Sequence, residues 1–228
     1  MLILMRLQAT AQTSTAAERI LIAFDHVIGA EPLALNSTCV NALGDTLTIQ
    51  KFRYYVSNFS LITTDHKTVP LKQEYFLIDE ANPASKNISL TVPAGFSISA
   101  IRFMLGVDSI RNISGVQSGA LDPTKGMFWT WNSGYIMAKL EGNSPSAHVA
   151  GNIFTYHVGG FRQPVQAMRM IELSLPTHNK SIHIVADINK WFKGNSELHI
   201  AETPVCHSPG KLAARIADNY AGMFSIKP

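Results

Sequence analysis

Apolar and polar residues alternate along most of this chain, and the alternation predicts strands. From Glu18 to Gly29, Ile20, Ile22, Phe24, His26 and Ile28 share one face, while Leu21, Ala23, Asp25 and Val27 share the other. A period of two is the signature of a strand. His26 falls on the more apolar face, where a lone histidine reads as a core residue hydrogen-bonded to a backbone group. From Thr46 to Thr64 the apolar phase slips twice, between Ile49 and Phe52 and between Val56 and Phe59. A strand cannot keep its face across such a slip without a bulge or a bend. Further strands are expected at Val69 to Ile78, Ile88 to Val92, Ile101 to Val107, Tyr135 to Leu140, Asn152 to Val158, Val165 to Leu175 and Lys180 to Ile188. In the strand at Asn152, His157 shares a face with Ile153 and Thr155. Trp191-Phe192 reads as an apolar cap on the sandwich edge.

The last segment changes period. Leu212, Ile216, Tyr220 and Met223 recur at helical spacing. Ser208 is the expected N-cap and Pro209 the first helical residue. About nine short strands and one helix predict an all-β chain: a Greek-key-like antiparallel β-sandwich with a long ordered loop and one C-terminal helix. Residues 18–228 read as a single domain. Residues 1–17 read as the remnant of a signal peptide or a disordered start, with Ala9-Thr10-Ala11 fitting a small-x-small cleavage pattern.

The long loop, between Ile101–Val107 and Tyr135–Leu140, breaks the pattern most. Ordered loops of such length in compact domains carry function more often than not. Its end, Met127-Phe128-Trp129-Thr130-Trp131, holds two of the chain's three tryptophans. Large aromatics beside a glycine-rich polar stretch do not belong to a disordered linker. The loop is therefore expected to pack on the domain. Trp129 and Trp131 are two apart, so an extended backbone puts both on one side.

Composition narrows the function classes. Hydrophobic residues make up 46% and charged residues 15% of the 228, with a formal net charge of +3. No basic stripe is present, which argues against nucleic-acid binding. No apolar run approaches the roughly 20 residues of a membrane-spanning helix. There is no Gly-x-Ser-x-Gly, P-loop, dinucleotide fingerprint or His-Glu-x-x-His, so the chain does not read as an enzyme.

Several segments together resemble a known family. They are Gly115-Val116-Gln117-Ser118-Gly119-Ala120-Leu121-Asp122-Pro123, then Gly126-Met127-Phe128-Trp129-Thr130-Trp131-Asn132-Ser133-Gly134-Tyr135, then Leu140-Glu141-Gly142. Shorter matches lie at Phe24-Asp25-His26, Tyr54-Tyr55-Val56-Ser57-Asn58, Tyr156-His157-Val158-Gly159-Gly160 and Ile216-Ala217-Asp218-Asn219-Tyr220. The pattern resembles the MbnP-like proteins, exported copper-binding proteins first named from methanobactin gene clusters. The resemblance implies a periplasmic or secreted protein, lipid-anchored if the N-terminus is incomplete, that captures or handles copper as Cu(I) or Cu(II). It also implies a partner: a diheme peroxidase resembling MauG (MbnH-like), which oxidises a tryptophan to kynurenine. The aromatic amine of kynurenine can assist copper binding, and either Trp129 or Trp131 is eligible.

Copper(I) takes imidazole and soft sulfur ligands, and no local metal motif is present, so any site must be assembled from distant strands. The resemblance makes His26 and His157 the first candidate ligands and His207 the third. His66, His148, His178, His183 and His199 sit in turns or at element ends. Asp108 and Asp122 in the loop are hard-cation candidates by residue type, but read better as turn caps near Arg111. Cys39 and Cys206, far apart in an exported chain, invite a disulfide; two separate buried thiols, or a metal role for Cys206 beside His207, are the other readings. The alternative function is a β-sandwich recognition module that binds protein or glycan through the 106–134 loop. It requires both tryptophans exposed and the histidines scattered.

Overall fold

The computed structural model describes residues 17–95, 97–132, 134–176 and 181–227. All of the expected leader except Ala17, which opens the first strand, therefore lies outside the described residues, as does His178. Among the described residues no helix is long and apolar enough to cross a membrane.

Among the described residues fifteen strands run in chain order: β1 Ala17–Ile28, β2 Glu31–Pro32, β3 Thr38–Val40, β4 Thr46–Thr63, β5 Thr68–Pro70, β6 Tyr75–Asp79, β7 Asn87–Pro93, β8 Ile98–Leu105, β9 Phe128–Trp129, β10 Gly134–Asn143, β11 Ile153–Gly159, β12 Arg169–Ser174, β13 Ser181–Asp187, β14 Val205–Cys206 and β15 Phe224–Ile226. Three short α-helices accompany them among the described residues: α1 Ser109–Ile113, α2 Asn189–Phe192 and α3 Lys211–Ala221. The smaller sheet orders β15-β13-β1-β2, with β7 also on β1; the larger orders β12-β8-β4-β10-β11-β14, with β3, β5 and β6 on β4 and β9 on β10. The two sheets form a sandwich, because Phe24 of β1 meets Tyr54 of β4 and Phe103 of β8 edge-on, at 6.0 and 6.3 Å between ring centroids.

Most pairs are antiparallel, as expected. Two are not: β1 runs parallel to β13 and β11 parallel to β14. The expected strand at Val69 is split into β5 and β6, and that at Val165 begins only at Arg169. Both phase slips prove to be interruptions in one long strand, β4. Its pairing with β10 shifts register where Glu141 faces Lys51 and Gly142 faces Ile49, and its pairing with β8 shifts between Ser57 and Ser60. Asn58, inside the second shift, has φ 51. Trp191 and Phe192 are fully buried on α2.

The C-terminal helix begins later than its sequence suggests, at Lys211 rather than Pro209, with Gly210 at its N-cap. Pro209 instead packs against Gly160, whose φ is 120. The two cysteines are unbridged. Cys39 on β3 and Cys206 on β14 are separated by β4, β10 and β11. Four inter-strand steps amount to roughly 19 Å, whereas a disulfide needs Cα atoms within about 7 Å.

Gly142 tests how tightly the sheet is closed. A Cβ there would lie 2.2 Å from the Thr48 carbonyl oxygen and 2.8 Å from Phe154 Cζ. The obstacle is backbone, so relaxation requires the β4–β10 pairing to open. Gly142→Ala is expected to destabilise the fold by about 3 kcal/mol or more, read as a lower urea midpoint. An unchanged midpoint would show that the bulge beside it absorbs a side chain.

Candidate functional site: a histidine pair on the outer face of the larger sheet

Register decides which histidines meet. Across the larger sheet Phe52 pairs with Leu140 and Leu140 with Tyr156, while Arg53 pairs with Lys139 and Lys139 with His157. Directly paired residues point to the same face. Phe52, Leu140 and Tyr156 face the smaller sheet and the core; Arg53, Lys139 and His157 face outward.

His26 belongs to the inner face. It packs edge-on against Phe52 and Tyr54 at 4.8 and 5.5 Å. Its Nδ1 lies 2.6 Å from Glu80 Oε2 and its Nε2 2.9 Å from the Tyr54 hydroxyl. Burial opposes ionisation of Glu80, but the hydrogen bonds with His26 and Lys86 outweigh it and keep the carboxyl below its usual range. Burial lowers the His26 pKa despite Glu80 and holds the Tyr54 hydroxyl protonated. The assignment follows from those charge states: Nδ1–H donates to the carboxylate, and Nε2 accepts from the tyrosine. Both nitrogens are used. His26 is a core histidine, as its face suggested, although its partners are side chains rather than backbone. A joint site with His157 is not formed, because the sheet itself stands between them.

His207 is different. β14 extends the sheet parallel to β11, with Val205 beside Thr155 and Cys206 beside Tyr156. The next step in this register brings His207 beside His157. Their rings stack with centroids 4.4 Å apart at 28°. The alternation that turns His207 outward turns Cys206 inward to burial, so the two neighbours cannot serve one ion, and the thiol is pushed up to about 11 by desolvation.

The pair is oriented by polar neighbours. Glu141 Oε1 lies 2.8 Å from His157 Nε2, and Glu141 Oε2 accepts from Lys51 Nζ at 2.8 Å. The hydrogen bond from His157, then Lys51 working against burial, brings the Glu141 carboxyl down to about 2. An ionised carboxylate only accepts, so His157 carries a proton on Nε2, and in the neutral imidazole Nδ1 is the nitrogen left with a lone pair. His207 Nε2 lies 2.6 Å from Thr155 Oγ1. Burial and then the neighbouring His157 lower the His207 pKa, which favours the neutral imidazole a metal requires. In a stacked pair each in-plane lone pair stays in its own ring plane, so convergence on one ion takes a side-chain rotation of His207, which is exposed. Among the described residues no group of three or more His, Cys, Asp or Glu is arranged to hold a metal.

The long loop covers the same face. Lys139 points outward yet is buried, its ammonium donating to the Gly126 carbonyl at 2.6 Å. Tyr55 and Tyr135 hold the loop by hydroxyl bonds to the carbonyls of Ala120 and Leu121, at 3.1 and 2.8 Å. Trp129 lies flat enough on β11 that a Cβ at Gly159 would come within 2.7 Å of its Cζ3. Gly159 is two residues from His157, so Trp129 and His157 share the outer face. The tryptophans do not share one environment: Trp129 is 5% exposed and Trp131 66%, with centroids 5.5 Å apart. β9 ends at Trp129, and the turn that follows sends Trp131 to solvent.

The loop carboxylates cap turns. Asp108 Oδ1 accepts from the Arg111 backbone N–H at 3.0 Å at the start of α1, and its Oδ2 accepts from Tyr75, Asn58 and Gln73. Asp122 accepts from the Thr124 N–H and hydroxyl at 2.8 and 2.7 Å. Neither lies with the histidines.

A family model for MbnP matches residues 17–208. The chain belongs to the MbnP family. The match spans every residue of the histidine pair and the loop, and leaves α3 outside. Among solved structures, MbnP from Methylosinus trichosporium superposes with a TM-score of 0.59 at 14% identity, covering 92% of this chain and 98% of that one. At that identity the likeness to MbnP is one of fold. A search of curated proteins finds no significant match.

Glu141 makes the outer face pH-sensitive. Its carboxyl is depressed from 4.5 to about 2 in the folded protein. A depressed carboxyl stabilises the fold above its unfolded pKa, and that contribution is lost as pH falls through the folded value. The stability difference between wild type and Glu141→Gln is therefore expected to shrink between pH 4.5 and about 2. Urea melts at about pH 6 and about pH 2.5 check this; an unchanged difference would mean the carboxylate is not paired in solution.

Proposed function

We propose that the protein binds copper outside the cytoplasm, without catalytic activity of its own, and that the site is the His157–His207 pair beside Trp129. The observation that carries this reading is the coincidence on one sheet face of two adjacent imidazoles, one with its free nitrogen selected by Glu141, and a tryptophan ring held against the same strand. Imidazole suits copper, and a carboxylate behind a ligating histidine is the usual orienting arrangement. Membership of the MbnP family supports the same reading.

Two imidazoles leave the coordination open. The third donor is the aromatic amine of a kynurenine formed from Trp129 by a diheme peroxidase partner. Trp129 is favoured over Trp131 because it lies on the face and strand of His157, whereas Trp131 points to solvent. Copper supplies the soft centre to be captured and passed on; the residues of this chain set its ligands and exclude water on the Trp129 side.

The recognition-module reading requires both tryptophans exposed and the histidines scattered; Trp129 is covered and two histidines are together.

The test is a copper titration of protein purified from its own host, read by metal content after dialysis, with a mass map of residues 126–139. His157→Ala and His207→Ala are each expected to lose stoichiometric copper, and Glu141→Gln to weaken it roughly 10–100-fold. The kynurenine mass change is expected on Trp129. Full copper retention in a His157→Ala, His207→Ala double variant would end this assignment.

A further inference from the structure

Two cations share a cleft on the other side of the long loop from the histidines. Arg53 of β4 and Asp79 of β6 are paired in register, next to Tyr55 and Leu77 two residues along. Residues 119–125 of the loop are held against this corner of the sheet. The Tyr55 hydroxyl donates to the Ala120 carbonyl and Arg53 Nη1 to the Lys125 carbonyl, each at 3.1 Å. Loop, β6 and residues 82–89 wall a cleft of about 730 Å³, which Arg53, Lys125 and Asp79 all line.

What the lining can still bond decides what it can hold. The Asp79 carboxylate is spent: Oδ1 accepts from the Ala81 N–H at 3.0 Å, and Oδ2 stands 3.0 Å from Arg53 Nε. That second contact is an ion pair out of line with the N–H bond. Arg53 Nε is accordingly the one buried side-chain nitrogen or oxygen without a hydrogen bond among the described residues. Asp79 and the loop thus hold the guanidinium in place without saturating it, and its Nη2 bonds to nothing among the described residues. Tyr75, Ser85, Asn87 and Thr124 donate to partners inside the protein. The exposed Lys125 ammonium makes no hydrogen bond or ion pair among the described residues. Asp122, the carboxylate nearest to it along the chain, is turned to Thr124. The charged groups of the cleft therefore have donors left over and no acceptor.

Charge and shape narrow the ligand. Two cations against one carboxylate leave a single positive charge in excess. A planar guanidinium beside an ammonium suits an oxyanion. One excess charge suits a monoanion, and Asp79 repels a second negative charge. The volume lies in the range of small-molecule sites rather than that of a bare ion. Leu77, Ile88 and Ala120 supply an apolar wall. We infer that this cleft binds a small organic acid, its carboxylate on Arg53 and Lys125 and its apolar body against Leu77 and Ala120. Nothing in the cleft is shared with the histidine pair: in register Lys139 stands between Arg53 and His157, and the Gly126 carbonyl accepts from it.

The experiment titrates sodium benzoate, a carboxylate on an apolar ring, into isotope-labelled, copper-free, full-length protein and follows proton–nitrogen NMR spectra. Benzyl alcohol is the neutral comparison. Benzoate is expected to shift the Thr124, Lys125 and Ser89 amides saturably, together with the Arg53 Nε–H signal, identified by its loss in Arg53→Lys. Lys125→Gln and Arg53→Lys are each expected to weaken binding about tenfold, the loss of one charge-assisted hydrogen bond. Arg53→Lys keeps the charge, so weakening there reports the guanidinium fork. Lys125→Gln changes an exposed side chain, and spectra with unshifted core amides establish that both variants are folded. His157→Ala is the control and is expected to bind benzoate as wild type. Weakening in either cleft variant supports the site. Wild-type affinity in both overturns it, as does the absence of a saturable shift, an equal response to benzyl alcohol, or loss of binding in His157→Ala.

Discussion

One ammonium group, that of Lys139, ties the long loop to the sheet. It sits on the outward face of β10 between Arg53 and His157 in register, and the loop closes over it. Burying a charge is costly unless it is paired. Here burial does lower the lysine pKa, while the Gly126 carbonyl at 2.6 Å and Glu141 at 3.7 Å compensate. The Gly126 carbonyl is the last polar anchor before Met127, which is fully buried, and Trp129. Fixing that carbonyl therefore fixes where the aromatic end of the loop lands. The same lysine stands beside the carboxylate that orients His157. Loop placement and the orientation of the His157 ring share one electrostatic origin.

The larger sheet separates two kinds of polar chemistry by its two faces. Toward the core, His26 sits between Tyr54 and Glu80 with both ring nitrogens hydrogen-bonded. Such a network stabilises by satisfying the buried imidazole and leaves His26 no lone pair to offer. On the outer face, His157 spends one nitrogen on Glu141 and stacks its ring on His207. The chemistry of the two imidazoles is the same; the pleat decides which is structural and which is available.

Strand alternation made much of this legible. The face of His26, the two interruptions of β4 and the face that His157 shares with Ile153 and Thr155 all follow from reading every second residue. The packed state of the loop was legible too, from its tryptophans. The partnership of His157 with His207 was not. It depends on β14, two residues long, running parallel to β11, and a pair so short carries no periodicity. The signal that existed was Val205-Cys206-His207 itself: apolar-out, buried, polar-out is a strand alternation, but proximity of a cysteine to a histidine suggested a shared metal instead. The disulfide reading failed for a related reason. Loop-closure arguments count residues along the chain, whereas the distance between Cys39 and Cys206 is set by how many strands lie between them. The helix start was misplaced because Pro209 is committed to Gly160, a contact invisible before the chain is folded.

Gly159 shows how the site depends on absence of a side chain. Positions 153, 155 and 157 of β11 project outward as isoleucine, threonine and histidine. Had the series continued with any Cβ, that atom would have met both Trp129 and the Tyr135 carbonyl oxygen at 2.7 Å. The glycine lets the indole lie against the strand in the place where the next side chain would stand. Trp129 is thereby the neighbour of His157 along the strand, as His207 is its neighbour across the strand. Two directions of the same lattice, one covalent and one hydrogen-bonded, bring three rings from three distant stretches of sequence to one patch of sheet. A site built in this way needs no local motif, which is why none is found in the sequence.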